Sequence, residues 1–359
     1  MRIHDRYLLA DFWRNIAIAL TAFTIIYVTV DINEQISSYI DNHARVADIA
    51  LYYLFKIPWI LVLVMPVAIL LATVFTLGKL SRQNELTAFI SSGTSLVRVA
   101  APIMLSALLV SFAVMLLGEF AIPQATERSE RIKRVNIEKQ KEEEGSRWRE
   151  NIHYQGEEGR TFYAERYDRV LKSFTNVIVQ EYTGSTIRRR IDAKRAFWDG
   201  SEWVFLDGAV RDFAGGGERI TTFTKLPMKE LSERPEDFEK ENIDPEEMNF
   251  RQLRTYIDKM VRGGSPVDKY LVDLYFKVSF PFTNLIFAVI GTALASAKRK
   301  PSMATGFGLT LMISFTYYGV LKIGQALGHS GVIEPLLGAW MGNMIFIVVG
   351  GVLLYRANR

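Results

Sequence analysis

The chain has 359 residues, 49% hydrophobic and 23% charged, with a formal net charge of +4 and a pI near 9.0. A chain this rich in charge keeps a positive mean hydropathy only if its apolar residues are gathered into blocks, which points to a membrane protein with a soluble insert. It has no cysteine, which excludes a disulfide framework, a thiolate metal site and a cysteine nucleophile while leaving the compartment open.

In chain order, the first apolar run, about Phe12 to Ile32, lies behind "MRIHDRYLLADFWRN" and lacks a small-residue cleavage site after it. It is therefore expected to stay as a span rather than to leave as a signal peptide. Five further runs approach the roughly 20 apolar residues that a bilayer core requires. They are Leu54 to Leu77, Val99 to Phe120, Tyr275 to Ala297, Met303 to Leu327 and Pro335 to Tyr355. Three spans precede a long insert and three follow it. Pro58, Pro66, Pro102 and Pro281 lie in or near these runs, where neighbouring helices can satisfy the backbone groups they free.

Short loops set the orientation. Arg2, Arg6 and Arg14 at the start, Lys79, Arg82 and Arg98 after the second span, Lys298, Arg299 and Lys300 after the fourth, and Arg356 and Arg359 at the end all fall on one side. The positive-inside rule makes that side cytoplasmic, with both termini, and places the insert of about Ile122 to Val267 outside.

Between the second and third spans stands "LSRQNELTAFISSGTS", Leu80 to Ser95. Ser81 reads as an N-cap, Gly93 as the C-terminal stop, and Leu86, Phe89 and Ile90 as an apolar stripe, with Arg82, Glu85 and Thr87 on other faces. A helix lying on lipid favours lysine and arginine on its polar face. This one presents a carboxylate and a single cation, which favours docking into a protein partner with Glu85 pairing an arginine there.

The insert begins with a charged helix-forming run, "QATERSERIKRVNIEKQKEEE", that extends the third span. From Thr161 the pattern turns to strands, with turns at Asp199 to Glu202 and Gly215 to Gly217. Phe174, Asn176, Ile178, Gln180 and Tyr182 alternate against Thr175, Val177, Val179 and Glu181, the pattern of an antiparallel sheet with one wetter face and of a small sandwich or jellyroll. A proline-bearing acidic strap leads to "FRQLRTYIDKMVRGG", where Leu253, Tyr256, Ile257 and Met260 share one helical face before Gly263 and Gly264.

Phosphate-loop, zinc-protease and nucleophile-elbow motifs are absent, and His4, His43, His153 and His329 are scattered without ligand spacing. Arg188, Arg189 and Arg190 alternate between strand faces, so no nucleic-acid site is expected.

The whole chain resembles the LptF/LptG permease family of lipopolysaccharide export. The resemblance is carried by "DRYLLADF", "GKLSRQNELTAFISSGTS", "GEFAIPQ", "YIDKMVRGG", "FPFTNLIFAVIGTALA" and "YYGVLKIGQALGHSGVIEPLLGAWMGN", in order from end to end. "DRY" and "GEFAIPQ" look more like the G member. The resemblance implies an α-helical membrane protein with six transmembrane helices and an extracytoplasmic all-β, β-jellyroll-like domain. Residues 1–121 would hold spans one to three with the coupling helix at 81–92, residues 122–267 the periplasmic domain with flanking helices, and residues 268–359 spans four to six.

It further implies a non-catalytic permease subunit of an ABC transporter in the bacterial inner membrane, binding no cofactor itself, with ATP and Mg held by a cytoplasmic LptB-like ATPase dimer. Its other partners would be an LptF-like second permease, an LptC-like single-span subunit, an LptA-like soluble bridge and lipopolysaccharide. Ser81, Arg82, Glu85, Leu86, Phe89 and Ile90 would form the ATPase-coupling element, and Lys322, Lys56 and Glu119 are candidates for the substrate cavity. Lys322 lies roughly 28 Å past Met303, so it either snorkels to the outer interface or faces the cavity. The outer end of the first span, "VDINEQISS", offers Asp31 and Glu34 where the family's G member can carry basic residues, so no phosphate site is expected there. Two other classes stay open: a membrane-anchored periplasmic scaffold, and a secondary transporter using Glu119 and Lys322.

Overall fold

A computed structural model describes residues 3–139, 148–156, 159–183, 186–213, 217–239, 248–262, 267–296 and 303–357. The chain divides into a helical unit, residues 1–140 with 268–359, and a second unit, 141–267. The basic residues Arg2, Lys298, Arg299, Lys300 and Arg359, the glycines Gly215, Gly216, Gly263 and Gly264, and the run from Gln140 to Glu144 lie outside the described residues.

All six expected spans are helices long and apolar enough to cross a membrane. They are α1 (Ile3–Asp41), α2 (Val46–Arg82), α4 (Leu96–Phe120), a fourth span made of α8 (Asp268–Ser279), a 3-10 turn (Phe280–Phe282) and α9 (Thr283–Ala295), then α10 (Met303–His329) and α11 (Pro335–Ala357). Between α2 and α4 sits the short α3 (Glu85–Ser91), and after α4 the arm α5 (Ile122–Ile132), which runs into a π-helical turn at Lys133–Ile137. With 39 and 37 residues, α1 and α2 are each roughly 55–60 Å long, about twice a bilayer core. Both therefore stand out of the hydrocarbon at either end. The arm packs on the far end of α2: Ile137 is buried beside Tyr39, Tyr52 and Tyr53, and Asn136 Nδ2 donates to Asp48 Oδ1 at 2.9 Å.

The fourth span breaks because Pro281 has no N–H to continue the ladder. Its neighbours repair the break with a buried polar chain. Asn343 Nδ2 donates to the Ser279 carbonyl at 2.6 Å, Tyr317 OH to Asn343 Oδ1 at 2.7 Å, and Ser279 Oγ to the Ala339 carbonyl at 2.7 Å. Since the Tyr317 proton is committed to Asn343, Thr283 Oγ1 is the donor in its 2.5 Å bond with Tyr317. Tyr318 OH likewise reaches the Leu63 carbonyl at 2.7 Å, close to Pro66 in α2.

Elsewhere the helices meet through small residues, as expected where lipid supplies no hydrophobic drive between them. A Cβ built on Gly324 of α10 would lie 2.7 Å from the Gly338 carbonyl oxygen of α11, and one on Gly338 would lie 2.9 Å from that of Gly324. The two backbones are in contact.

The second unit holds six antiparallel strands in sequence order: β1 (Trp148–Gln155), β2 (Arg160–Asp168), β3 (Ser173–Thr183), β4 (Thr186–Trp198), β5 (Trp203–Asp212) and β6 (Arg219–Met228). The β domain expected from sequence is thus a meander; the described strands contain no Greek-key crossover of a two-sheet sandwich. Beyond them lie α6 (Pro235–Glu239) and α7 (Phe250–Arg262), and α7 buries Leu253, Ile257 and Met260 as its periodicity predicts.

The simple alternation read along β3 does not hold. Phe174 is buried together with Val177 and Val179, not with Ile178. Asn176 adopts a left-handed φ of 50° and Asp207 one of 52°, which inverts the pleat. No residue is inserted, because the pairing Ala164↔Val177 and Arg166↔Thr175 keeps one register across the inversion. The same step of three between buried residues recurs at Ala164 and Tyr167 in β2 and at Ala193 and Ala196 in β4. A row through Glu165, Asn176, Lys194 and Asp207 therefore turns the whole sheet over. Gly208 beside this row has no room for a side chain: its Cβ would lie 2.2 Å from the Asp192 carbonyl oxygen and 2.6 Å from the Phe223 ring.

The α10–α11 crossing yields a direct test. We predict that Gly338→Leu costs about 1–3 kcal/mol through overpacking and lowers the unfolding temperature in detergent by several degrees. Gly319→Ala, whose Cβ meets nothing within 4 Å, should leave that temperature unchanged or raised.

Candidate functional site at the α3 corner

The corner begins where α2 ends at Arg82. Ser81 does not cap α3; it is 7% exposed in the last turn of α2. Two residues turn the chain, Asn84 takes a left-handed φ of 61°, and α3 starts at Glu85 without a side-chain cap. The expected stop is present. Gly93, at φ 84°, donates its N–H to the Ile90 carbonyl at 3.0 Å, while Thr94 N–H reaches the Phe89 carbonyl at 3.1 Å. This is a Schellman pair, which favours glycine at the left-handed position. Ser95 then caps α4 by accepting from the Arg98 N–H at 3.3 Å.

The three apolar residues of α3 do not form one face. Leu86 is buried and Phe89 half-buried in the cluster that contains Leu8, Leu80, Leu96 and Val99. Ile90 is 46% exposed and stands outward with Thr87 and Ala88. Glu85 sits half-buried at the lip of a cavity of about 480 Å³ lined by His4, Tyr7, Leu8, Leu80, Phe89 and Val99. Among the described residues it has no hydrogen-bond or ion-pair partner.

Sequence reasoning missed the first turns of α1. The His4 ring lies 5.3 Å from that of Phe89, and Asp11 receives Lys79 Nζ at 2.6 Å and Arg14 at 2.8 Å. Tyr7 lies beneath the Lys79 ammonium, 5.2 Å from it, and Asn15 Nδ2 donates to Thr76 Oγ1 at 2.9 Å. The signal was the spacing of Leu8, Phe12 and Ile16, an i, i+4, i+8 seam that begins before the apolar run itself.

The residues picked out for a substrate cavity are not gathered into one site. Lys56, expected to offer a positive charge, is fastened inside the α1–α2 hairpin: its Nζ lies 3.1 Å from Asp31 Oδ1 and 2.6 Å from Tyr52 OH. Tyr53 OH donates to Asp31 Oδ2 at 2.6 Å. Asp31, expected as part of an acidic rim, is neutralised by the same pair. Lys322 is exposed on the face of α10 opposite Tyr317 and Leu321, and Glu119 is half-buried one residue before the end of α4. Among the described residues no cluster of three or more His, Cys, Asp or Glu is placed to hold a metal ion.

Six membrane-crossing helices, a short helix wedged against the bundle at one basic corner, and a β unit inserted after the third span define a polytopic membrane protein with an inserted β domain. A family model described as the lipopolysaccharide export system permease LptF/LptG matches residues 6–356, and the chain belongs to that family. It is accordingly a multi-pass inner-membrane transport component. The match is to the joint family of both members. No curated protein matches the chain significantly.

The two faces of α3 differ in what they hold. Leu86→Ala is expected to lower stability by about 2–4 kcal/mol, whereas Ile90→Ala should stay within about 0.5 kcal/mol of the parent. Thermal unfolding of the purified protein in detergent separates them.

Proposed function

We propose that the chain is the permease subunit, of the G type, of an ABC exporter that draws lipopolysaccharide from the inner membrane and passes it through its β unit to a periplasmic bridge. In this reading the α3 corner and both termini are cytoplasmic and the β unit is periplasmic. Hydrolysis of ATP, with its Mg, takes place in a separate LptB-like ATPase dimer; an LptF-like second permease completes the cavity. An LptC-like single-span subunit and an LptA-like bridge continue the route.

The observation that carries this reading is Glu85, a half-buried carboxylate at the mouth of an apolar cavity, without a partner among the described residues. It stands on a helix whose inner face is locked into the bundle. A carboxylate in such a place offers a bidentate partner to an arginine from outside. Ile90, Thr87 and Ala88 give the partner an exposed surface beside it. Leu86 and Phe89 tie α3 to α1, α2 and α4, so a push on α3 reaches the spans rather than being lost in a loose linker. The missing phosphate-binding motif agrees with hydrolysis elsewhere.

The test is co-purification with the ATPase and the second permease, followed by ATPase and lipid-release assays in liposomes. Glu85→Ala should weaken docking or lipid-stimulated hydrolysis by about tenfold or more, and Glu85→Arg further, because truncating one side of a desolvated charge pair costs about 2–5 kcal/mol. Assembly and hydrolysis that ignore both substitutions would make α3 a surface anchor and favour the scaffold reading.

A further inference from the structure

Beyond β6 the chain does not leave the sheet. Residues 229–238 cross back over its interior and touch β5, β2 and β1 in turn. Trp203 Nε1 of β5 donates to the Glu233 carbonyl at 2.8 Å, Tyr167 OH of β2 to that of Pro235 at 3.3 Å, and Arg149 Nη1 of β1 to that of Phe238 at 2.6 Å. The strap ends on Phe238, which is fully buried. Its ring lies 4.7 Å from that of Tyr154, 4.9 Å from Phe174, 5.2 Å from Phe162 and 5.7 Å from Trp203.

Two features set the strap apart from the sheet it covers. The bonds named above come from side chains of β1, β2 and β5, and the six-strand ladder is complete without the strap among the described residues. Its charge is also held in a separable way. The Glu233 carboxylate, buried, lies 3.4 Å from Arg160 Nη1, and Arg160 Nε lies 3.8 Å from Glu181 on β3. If Glu233 withdraws, the guanidinium keeps a carboxylate beside it and is not left alone in a low-dielectric interior. The seat is close-fitting, since a Cβ on Gly156 would lie 2.1 Å from Glu233 Oε1.

We propose that the strap is a removable lid: Phe238 fills the place of an alkyl chain inside the β unit, and Glu233 with Arg160 is the latch. Beyond the Phe238 socket the same buried cluster continues through Val177, Val179, Ile191 and Ala193. An open meander must cover this strip with something apolar. The strap fills the socket at the end of this strip when the unit is empty, and an acyl chain replaces Phe238 when it is loaded. The inference rests on the reading that lipopolysaccharide passes through the β unit, and the experiment separates the two.

The chain has no cysteine, so G156C/E233C introduces the only thiol pair. A Cβ at position 156 lies 3.1 Å from Glu233 Cγ, within reach of a disulfide whose Cβ atoms are about 3.5–4.5 Å apart. A benzophenone amino acid replaces Tyr154 in the same chain, and the assembled transporter is reconstituted with lipopolysaccharide and ATP. With the thiols reduced, light should cross-link lipopolysaccharide to position 154. With the disulfide formed, as verified by mass, the cross-link should be lost, and it should return on adding reductant. Equal cross-linking in both states overturns the lid. No cross-link in either state, nor in the chain with Gly156 and Glu233 intact, overturns the lipid route and the lid with it. Phe238→Ala tests the lid without a disulfide: cross-linking should rise and lose its dependence on ATP, and an unchanged signal counts against the proposal.

Discussion

Two ion pairs between α1 and α2 govern how the helical unit is built. Lys79 meets Asp11 at one end of the hairpin and Lys56 meets Asp31 at the other. At 1.5 Å per residue, Lys56 and Lys79 are roughly 34 Å apart along α2, and Asp11 and Asp31 roughly 30 Å along α1, each close to the thickness of a bilayer core. The pairs therefore bracket the hydrocarbon stretch. They matter because α1 offers the unit a narrow buried seam, Leu8, Phe12, Ile16 and Ala19, with Tyr39 near its far end, and lipid gives helices no hydrophobic reason to associate. Lys56 and Asp31 are both largely buried, so removing one of them strands a charge, at a cost of about 3–5 kcal/mol. The Lys79–Asp11 pair, with its ammonium open to solvent, contributes less. The hairpin is thus held in one register, and that register brings His4 and Tyr7 to the wall of the α3 cavity.

How much of this was legible in the sequence depends on the range of the interaction. The six spans were readable because twenty apolar residues in a row have few other uses, and Gly93 was readable because a helix stop is decided within four residues. The face of α3 was not. Leu86, Phe89 and Ile90 are equivalent in a seven-residue helix until Leu8, Leu80 and Val99 take up the first two. Ser81 looked like a cap because it precedes an apolar run, yet α2 continues through it, and a buried position in the last turn outweighs one capping bond. Lys56 and Asp31 were read singly as a cavity cation and a repelling rim; their pairing across 25 residues exists only once the hairpin has closed. The inversion at Asn176 and Asp207 escaped for a different reason. It is a choice of backbone well, and asparagine and aspartate merely tolerate the left-handed one.

The break in the fourth span shows a different use of polar groups in the bundle. Pro281 frees backbone acceptors in a buried helix, and leaving them unmet would be costly. Asn343, Ser279, Thr283 and Tyr317 form a connected buried network of hydrogen bonds. It ties the fourth span to α10 and α11 by direction as well as by packing. Together with the contact of Gly324 on Gly338, this makes the last three spans one block.

A transporter needs some contacts that outlast its cycle and others that do not, and the chemistry here sorts them. Ladder bonds, the Asn343 chain and the glycine crossing are backbone-based or fully buried, and breaking them means unfolding. The strap on the β unit is held by three side-chain hydrogen bonds, each worth about 1 kcal/mol net, and by the buried Glu233–Arg160 pair, whose opening leaves Arg160 beside Glu181. Two exposed pairs at 4.0 Å, Lys172 with Glu236 and Arg189 with Glu230, add little. The burial of Leu231 and of the Phe238 ring is worth about 1.5–3 kcal/mol each. An alkyl chain of similar contact area recovers most of the Phe238 contribution in the same socket. Lifting the strap is therefore an exchange of one apolar occupant for another, with the sheet unchanged. That is why its cost falls in the range a bound lipid can meet, while the cost of opening the strands does not.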